Sequence, residues 1–308
     1  MKRDFLTLVD YSSSEIVNLL SLAKQTKYNP RQSADFLRGK SFALIFQKPS
    51  NRTRVSFETG IHQLGGNAIY LSPEDISLGV REPTADVART LSRYVHGIVA
   101  RVFSHHDILE LAKYASVPVI NGLSDLSHPC QALADIFTIQ EKFPQLKGVR
   151  MAYIGDGNNM CNSLLVACAK TGIDLFVATP EGYEPEARYV EAARIASRAS
   201  GSTITLSHSP KEAVRTAQVI YTDTWVSMGQ EEEAEKRLRA FAGFQVNETL
   251  QSEADRSHIF MHCLPAHRGQ EVTEGVIDGK HSVIFDQAEN RLHVQKAIMI
   301  YLYTFKHQ

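Results

Sequence analysis

The chain is short of several features that would settle its class at once. None of its 308 residues fall in an apolar run long enough to cross a bilayer, which excludes a spanning helix. Charge of one sign is missing too: 33 Lys and Arg stand against 34 Asp and Glu, a formal net charge of -1. There is therefore no bulk attraction for nucleic acid or an acidic membrane, and any bound anion must be met by a local basic cluster. Only four cysteines occur, Cys130, Cys161, Cys168 and Cys263, with no CxxC pair, as reduced thiols would be arranged. The GxxxxGK[ST] nucleotide loop is absent. So are internal repeats, low-complexity tracts and a Gly/Ser linker. The opening Met1-Lys2-Arg3-Asp4-Phe5 lacks the apolar core of a secretory signal, and a cytoplasmic location is the default expectation.

What is present is a chain of 43% hydrophobic residues, large enough for two domains. Apolar, β-rich runs at Ser41–Phe46, Asn67–Leu71, Gly97–Phe103 and Val117–Ile120 alternate with helix-like segments such as Pro83–Tyr94 and Asp107–Tyr114. The pattern restarts after Pro144 with Val149–Ile154, Asp174–Ala178, Thr203–Leu206, Val219–Thr222, His258–His262 and Ser282–Phe285. Two βαβ series predict an α/β protein of two doubly wound, mostly parallel sheets linked by helices, with residues 1–143 as one domain and 144–286 as the other. Ala132–Phe143 reads as a bridging helix, and 287–308 as a C-terminal helix packing back on the first domain. Ligands of such sheets sit beyond the carboxyl ends of the strands, and four polar motifs lie there.

Ser50-Asn51-Arg52-Thr53-Arg54 follows the first strand, with Ser50 placed to cap a helix carrying Val55, Phe57, Ile61 and Leu64. Unpaired N–H groups, a guanidinium and hydroxyls at a helix start suit a phosphate, although a capped helix with solvated arginines has the same sequence. His128-Pro129-Cys130-Gln131 places Pro129 in a helix's first turn, where the positive helix end favours a neutral, hydrogen-bond-donating His128. An ordinary cap is the plain alternative. Arg101 could add a second guanidinium or make an ion pair.

In the second half, Gly155-Asp156-Gly157-Asn158-Asn159 resembles a dinucleotide fingerprint without its third glycine, and the next strand ends in Ala178-Thr179 with no acid for a ribose. Asn158 and Asn159 instead offer amide donors for a carboxylate, or form a plain turn. Asp223, in Asp223-Thr224-Trp225-Val226-Ser227-Met228-Gly229, is a candidate acceptor for an ammonium, with Ser227 and Met228 beside it. The run Gln230–Arg239 reads as a solvated helix face. Cys263, in His262-Cys263-Leu264-Pro265-Ala266-His267-Arg268, is adjacent to His262, but neighbours in a strand point to opposite faces, which argues against a Cys-His nucleophile. A zinc set of His128, Cys130, His262 and Cys263 fits no structural spacing, and no metal is expected. If strand ends bring Asp223 and Cys263 together, the two could hold an amine; a buried inert thiol is the alternative.

The four motifs, in this order and spanning essentially the whole chain, resemble those of the aspartate/ornithine carbamoyltransferase family: S-x-R-T-R and H-P-x-Q shared across it, D-x-W-x-S-M-G and H-C-L-P of its ornithine branch. The resemblance implies transfer from carbamoyl phosphate to the δ-amine of L-ornithine, giving L-citrulline and phosphate without cofactor or metal. It implies that carbamoyl phosphate is held in the first domain by Ser50, Asn51, Arg52, Thr53, Arg101, His128, Gln131 and Arg291, and by Cys263 and Leu264 of the second. The second would hold ornithine through Asn159, Asp223, Ser227 and Met228. Arg52, Arg101, His128, Asp223, Cys263 and Arg291 would be catalytic. A homotrimer, or an assembly of trimers, is implied as well, with a role in arginine metabolism. Two positions depart from the pattern: Asn51 replaces the usual Thr or Ser, and Ser77 stands where many members carry a Gln reaching a neighbouring subunit's phosphate. A dinucleotide oxidoreductase and a non-catalytic amino-acid or anion binder are the rivals from other classes; putrescine and acetylated or succinylated ornithine are the rival acceptors.

Overall fold

The computed structural model describes residues 2–227 and 231–304. Among them are nine strands: β1 (Ser41–Phe46), β2 (Asn67–Leu71), β3 (Gly97–Arg101), β4 (Val119–Leu123), β5 (Arg150–Ile154), β6 (Asp174–Ala178), β7 (Ile204–Ser207), β8 (Val219–Thr222) and β9 (Ile259–His262). They form a four-stranded sheet ordered β2-β1-β3-β4 and a five-stranded sheet ordered β7-β6-β5-β8-β9. Every pairing is parallel, so the α/β class with two parallel sheets holds. Central strands read as continuous apolar runs because helices cover both faces of such sheets. All five residues of β3 are accordingly buried.

The chain divides into two compact units, Met1–Phe137 with Glu289–Gln308, and Thr138–Ala288. In the first, Ala43, Ile45, Ile98, Ala100 and Val119 pack with Ile108 and Leu111 in one core. Phe5 adds a bridge to the β4 edge, its N–H donating to the Val119 carbonyl at 2.8 Å. On the opposite edge β2 leaves Ile69 42% exposed. The last helix, Ile284–Thr304, carries Asn290, Lys296 and Tyr301 to Lys27, Gln63 and Glu15 of this unit, so the C-terminal helix packs on the first domain as expected. In the second unit, Ala152, Ile154, Ile220 and Phe260 pack with Trp225, Phe241 and Val272.

Two readings are corrected. Ser282–Phe285 is not a tenth strand: Ser282 makes one isolated bridge to Phe260, and helix geometry begins at Ile284. A short apolar run is compatible with either state, and here it starts a helix with Asp286 in the first turn. Val55 does not share the buried face of helix Asn51–Gln63 but stands 51% exposed. Among the described residues, no helix is long and apolar enough to cross a membrane.

Candidate active site

In the first unit, β1 feeds a loop whose Ser50 hydroxyl accepts the Thr53 N–H at 3.3 Å, capping helix Asn51–Gln63. Asn51 is exposed and Arg52 half-buried at this helix start, whereas Thr53 is fully buried. Arg54 turns away, pairing with Glu58 at 2.9 Å and stacking 3.6 Å over Tyr70. Arg291, from the last helix, donates to the Thr53 hydroxyl at 2.7 Å. It is 3% exposed. Arg101 ends β3 and is equally enclosed.

His128 immediately precedes helix Pro129–Lys142 and is buried. Burial first, then the charges of Arg291, Arg101 and Arg52, holds its imidazole well below the usual histidine range and so neutral. The sequence attributes that neutrality to the helix end; burial and three guanidiniums act in the same direction. The amide of Gln131 donates to Asp135 Oδ1 at 2.8 Å, which leaves its Oε1 buried without an acceptor's partner among the described residues. A buried lone pair of this kind would accept from an N–H2 group. Cys130 is buried and pushed up to about 12 by desolvation, an inert thiol. The hydroxyl of Ser77, at φ 41°, is turned to the Pro73 carbonyl at 3.1 Å.

In the second unit the carboxyl ends of β5, β8 and β9 gather a second polar group. Asn158 caps helix Asn159–Thr171, its Oδ1 accepting from Met160 N and Cys161 N at 2.9 and 3.2 Å. Its Nδ2 donates to Asp223 Oδ2 at 2.9 Å, so the carboxylate this amide meets is the chain's own. Asn159, half-buried, is the first residue of the helix. The other Asp223 oxygen accepts from the Thr224 N–H at 2.8 Å and from the Cys263 thiol at 3.0 Å. Asp223 and Cys263 are thus in contact. Ser227 is half-buried beyond them, and Met228 lies outside the described residues.

His262 points elsewhere. Its Nδ1 accepts from Leu264 N at 2.9 Å, so the proton sits on Nε2, which faces Glu271 Oε1 at 3.4 Å. This holds Leu264 at φ 58°, a left-handed conformation uncommon for a branched residue. Asp223, His262 and Cys263 bring potential metal-ligating atoms within 4.8 Å of one another. Those atoms are engaged with Asn158, Leu264 and each other, an arrangement built of hydrogen bonds.

Gly157 in the glycine-rich turn is required by the chain's own packing: a Cβ there would lie 2.3 Å from the backbone of Glu184 and Pro185.

Three residues escaped the sequence reading. Glu271 is fully buried beneath His262. Asp156, inside the Gly155–Asn159 turn, is buried and paired with Arg237. Arg237 itself belongs to the run read as solvated, yet it is only 4% exposed. The available signal was Leu238 and Phe241 nearby, which mark a helix with an inward face.

Residues 3–141 match the model of the aspartate/ornithine carbamoyltransferase carbamoyl-P binding domain, and residues 147–302 that of the Asp/Orn binding domain. The ornithine carbamoyltransferase of Pyrococcus horikoshii is 55% identical over 302 residues, covering 97% of this chain and 95% of its own. The "ornithine carbamoyltransferase, anabolic" of Pyrococcus furiosus is 55% identical over 299 residues, 96% of this chain and 95% of its own. A solved ornithine carbamoyltransferase from Pyrococcus furiosus superposes with a TM-score of 0.94 at 55% identity, over 97% of this chain and 96% of that one. With an arginine-lined helix start in one unit, a carboxylate–thiol pair in the other, and both domain models matched in order, the chain belongs to the aspartate/ornithine carbamoyltransferase family.

Proposed function

We propose that the chain transfers the carbamoyl group of carbamoyl phosphate to ornithine, giving citrulline and phosphate. The unit spanning Met1–Phe137 and Glu289–Gln308 holds the donor, and the unit Thr138–Ala288 the acceptor. The capped helix start with Ser50, Asn51, Arg52 and Thr53, together with Arg101, receives the phosphate. Neutral His128, Thr53 and Arg291 donate toward the carbonyl oxygen, and Gln131 Oε1 accepts from the carbamoyl nitrogen. Asn159, Asp223, Ser227 and Met228 bind the amino-acid end of ornithine, while Cys263 and Leu264 face the reacting amine.

The neutral δ-amine attacks the carbamoyl carbon, forming a C–N bond and a tetrahedral oxyanion. The C–O bond to phosphate then breaks, phosphate leaves with the electron pair, and the amine's proton passes to phosphate or solvent. Each donor placed on the developing oxyanion is worth about 3–4 kcal/mol. The sequence of steps balances without a cofactor and without a carbamoylated residue. The observation that carries the acceptor is the 3.0 Å contact of Cys263 with Asp223, which sets a carboxylate and a thiol side by side for a cationic substrate. We further place the enzyme in the cytoplasm and in arginine synthesis, the direction named for the anabolic relative. We also propose a homotrimer or an assembly of trimers, as the resemblance to the family implies.

An acceptor panel tests the proposal: carbamoyl phosphate is offered with ornithine, aspartate, putrescine, acetylornithine and succinylornithine, and ureido product is read by colour. Citrulline from ornithine alone is expected. Faster turnover of any other acceptor would overturn the assignment.

A further inference from the structure

His128 is held at both of its peptide bonds, and a side chain outside the proposed reaction centre braces one of them. On the C-terminal side the His128 carbonyl accepts from Gln131 N–H and Ala132 N–H, both at 3.1 Å, at the start of helix Pro129–Lys142. On the N-terminal side lies the Ser127 carbonyl, which shares a peptide plane with the His128 nitrogen. It accepts from the Ser124 N–H at 3.0 Å, the Ser124 hydroxyl at 3.3 Å and the Asn121 Nδ2 at 3.4 Å. Asn121, Ser124 and Ser127 are all fully buried. The two N–H groups of Asn121 also serve the Leu6 carbonyl at 2.9 Å and Ser124 Oγ at 3.3 Å. Since the carbonyls of Leu6 and Ser127 can only accept, the nitrogen of this carboxamide must face them.

Asn121 stands at this point because β4 carries an extra residue. Ala100 of β3 pairs with Asn121, but Arg101 pairs with Leu123, so Gly122 is left over. A bulge of this kind bends its strand and re-aims a side chain. A Cβ on Gly122 would lie 3.2 Å from the Ala100 carbonyl, the close backbone approach that glycine permits. Joining the N-terminal segment to the sheet does not need the Asn121 side chain. Phe5 N–H to the Val119 carbonyl and Asn121 N–H to the Phe5 carbonyl, both 2.8 Å, already do so. We propose that Asn121 is a positioning residue for His128: set by the bulge, its carboxamide fixes the Ser127–His128 peptide plane and with it the direction in which the imidazole donates to the carbamoyl oxygen. The inference rests on the reading of His128 as that donor.

The test is a double-mutant cycle on the full-length chain with Asn121→Ser, His128→Asn and both together. Asn121→Ser should lower kcat about 10- to 100-fold, the range reached when a reacting group is displaced by ~1 Å. The ornithine KM should stay near the wild-type value. In the His128→Asn background the same substitution should cost nothing further, because groups acting as one unit are not additive. Ser124→Ala, which removes one donor to Ser127 and leaves the sheet edge intact, should show a smaller loss that vanishes in the same background. The carbon-13 signal of labelled carbamoyl phosphate bound without ornithine should move toward its free position in Asn121→Ser, as the carbonyl loses its donor. Asp4→Ala serves as the control: it removes the carboxylate that accepts the Val119 N–H at 2.8 Å, so it should lower the thermal midpoint and leave kcat unchanged. Losses that multiply in the double variants would show that Asn121 and Ser124 only stabilise the fold, and would overturn the proposal. So would an Asp4→Ala enzyme slowed as much as Asn121→Ser. A His128→Asn enzyme as fast as wild type would remove the reading of His128 and this proposal with it; a slow His128→Asn enzyme beside an Asn121→Ser enzyme of wild-type kcat removes this proposal alone.

Discussion

Asn158 performs two tasks that one pair of substitutions separates. Its Oδ1 caps helix Asn159–Thr171, and its Nδ2 donates to Asp223 at 2.9 Å. Asn158→Ser keeps a good capping hydroxyl, so stability should fall by only a few tenths of a kcal/mol, but serine is too short to reach Asp223. A hydrogen bond to an ionised partner is worth about 1.5–3 kcal/mol. If that bond orients Asp223 for the acceptor, kcat/KM for ornithine should drop about 10- to 150-fold, at about 1.4 kcal/mol per tenfold. The carbamoyl phosphate KM should change far less, because apart from Cys263 and Leu264 the residues proposed to hold it belong to the other unit. Asn158→Ala loses the cap as well, adding about 0.5–2 kcal/mol of destabilisation in denaturant titration. Steady-state citrulline assays at saturating donor read the first effect. An Asn158→Ser enzyme with wild-type kcat/KM for ornithine would refute the claim that Asp223 must be held by this amide.

Three further outcomes are expected. Arg52→Ala should lower turnover by orders of magnitude while leaving the circular dichroism and thermal midpoint intact; near-normal turnover at saturating carbamoyl phosphate would remove Arg52 from the phosphate site. Cys263→Ser should stay measurably active with a raised ornithine requirement, and no carbamoyl-protein should appear by mass spectrometry; a trapped thioester in the wild type would replace direct attack with covalent catalysis. Burial, partly offset by Arg237, lifts Asp156 from its ordinary 3.8 to about 6, so the folded state binds this proton more tightly than the unfolded chain. Its stabilising contribution is then full below pH 3.8 and lost as pH rises through about 6, so the stability of the wild type relative to Asp156→Asn should decline by roughly 1–3 kcal/mol between pH 4 and 7 in urea titrations. A pH-independent difference would contradict it.

Strand positions were legible because β1, β3, β5, β8 and β9 are short, apolar and regularly spaced, the pattern of parallel strands buried on both faces. Ser282–Phe285 was misread because Val283-Ile284-Phe285 satisfies a strand and a helix start equally, and only the Ser282 bridge and the Asp286 turn decide between them. At the candidate site, motif residues after strand ends could be named from sequence, as could a neutral His128. The further causes of that neutrality could not, because Arg101 and Arg291 reach His128 only through folding. Arg237 shows the same limit more sharply. Its partner Asp156 is 81 positions away, and the charged letters around it describe a solvated helix until that contact is known. Glu271 likewise acquires meaning only when His262 lies over it.

The most direct measurement of the central claim follows bond formation itself. Carbamoyl phosphate labelled at its carbonyl carbon and ornithine labelled at its δ-nitrogen are mixed with the enzyme, and the product is read by nuclear magnetic resonance. The account predicts one-bond carbon–nitrogen coupling in the ureido group of citrulline, appearing in step with equimolar phosphate. Label appearing on the α-nitrogen, phosphate released without coupled product, or carbonyl label retained on the protein would contradict it.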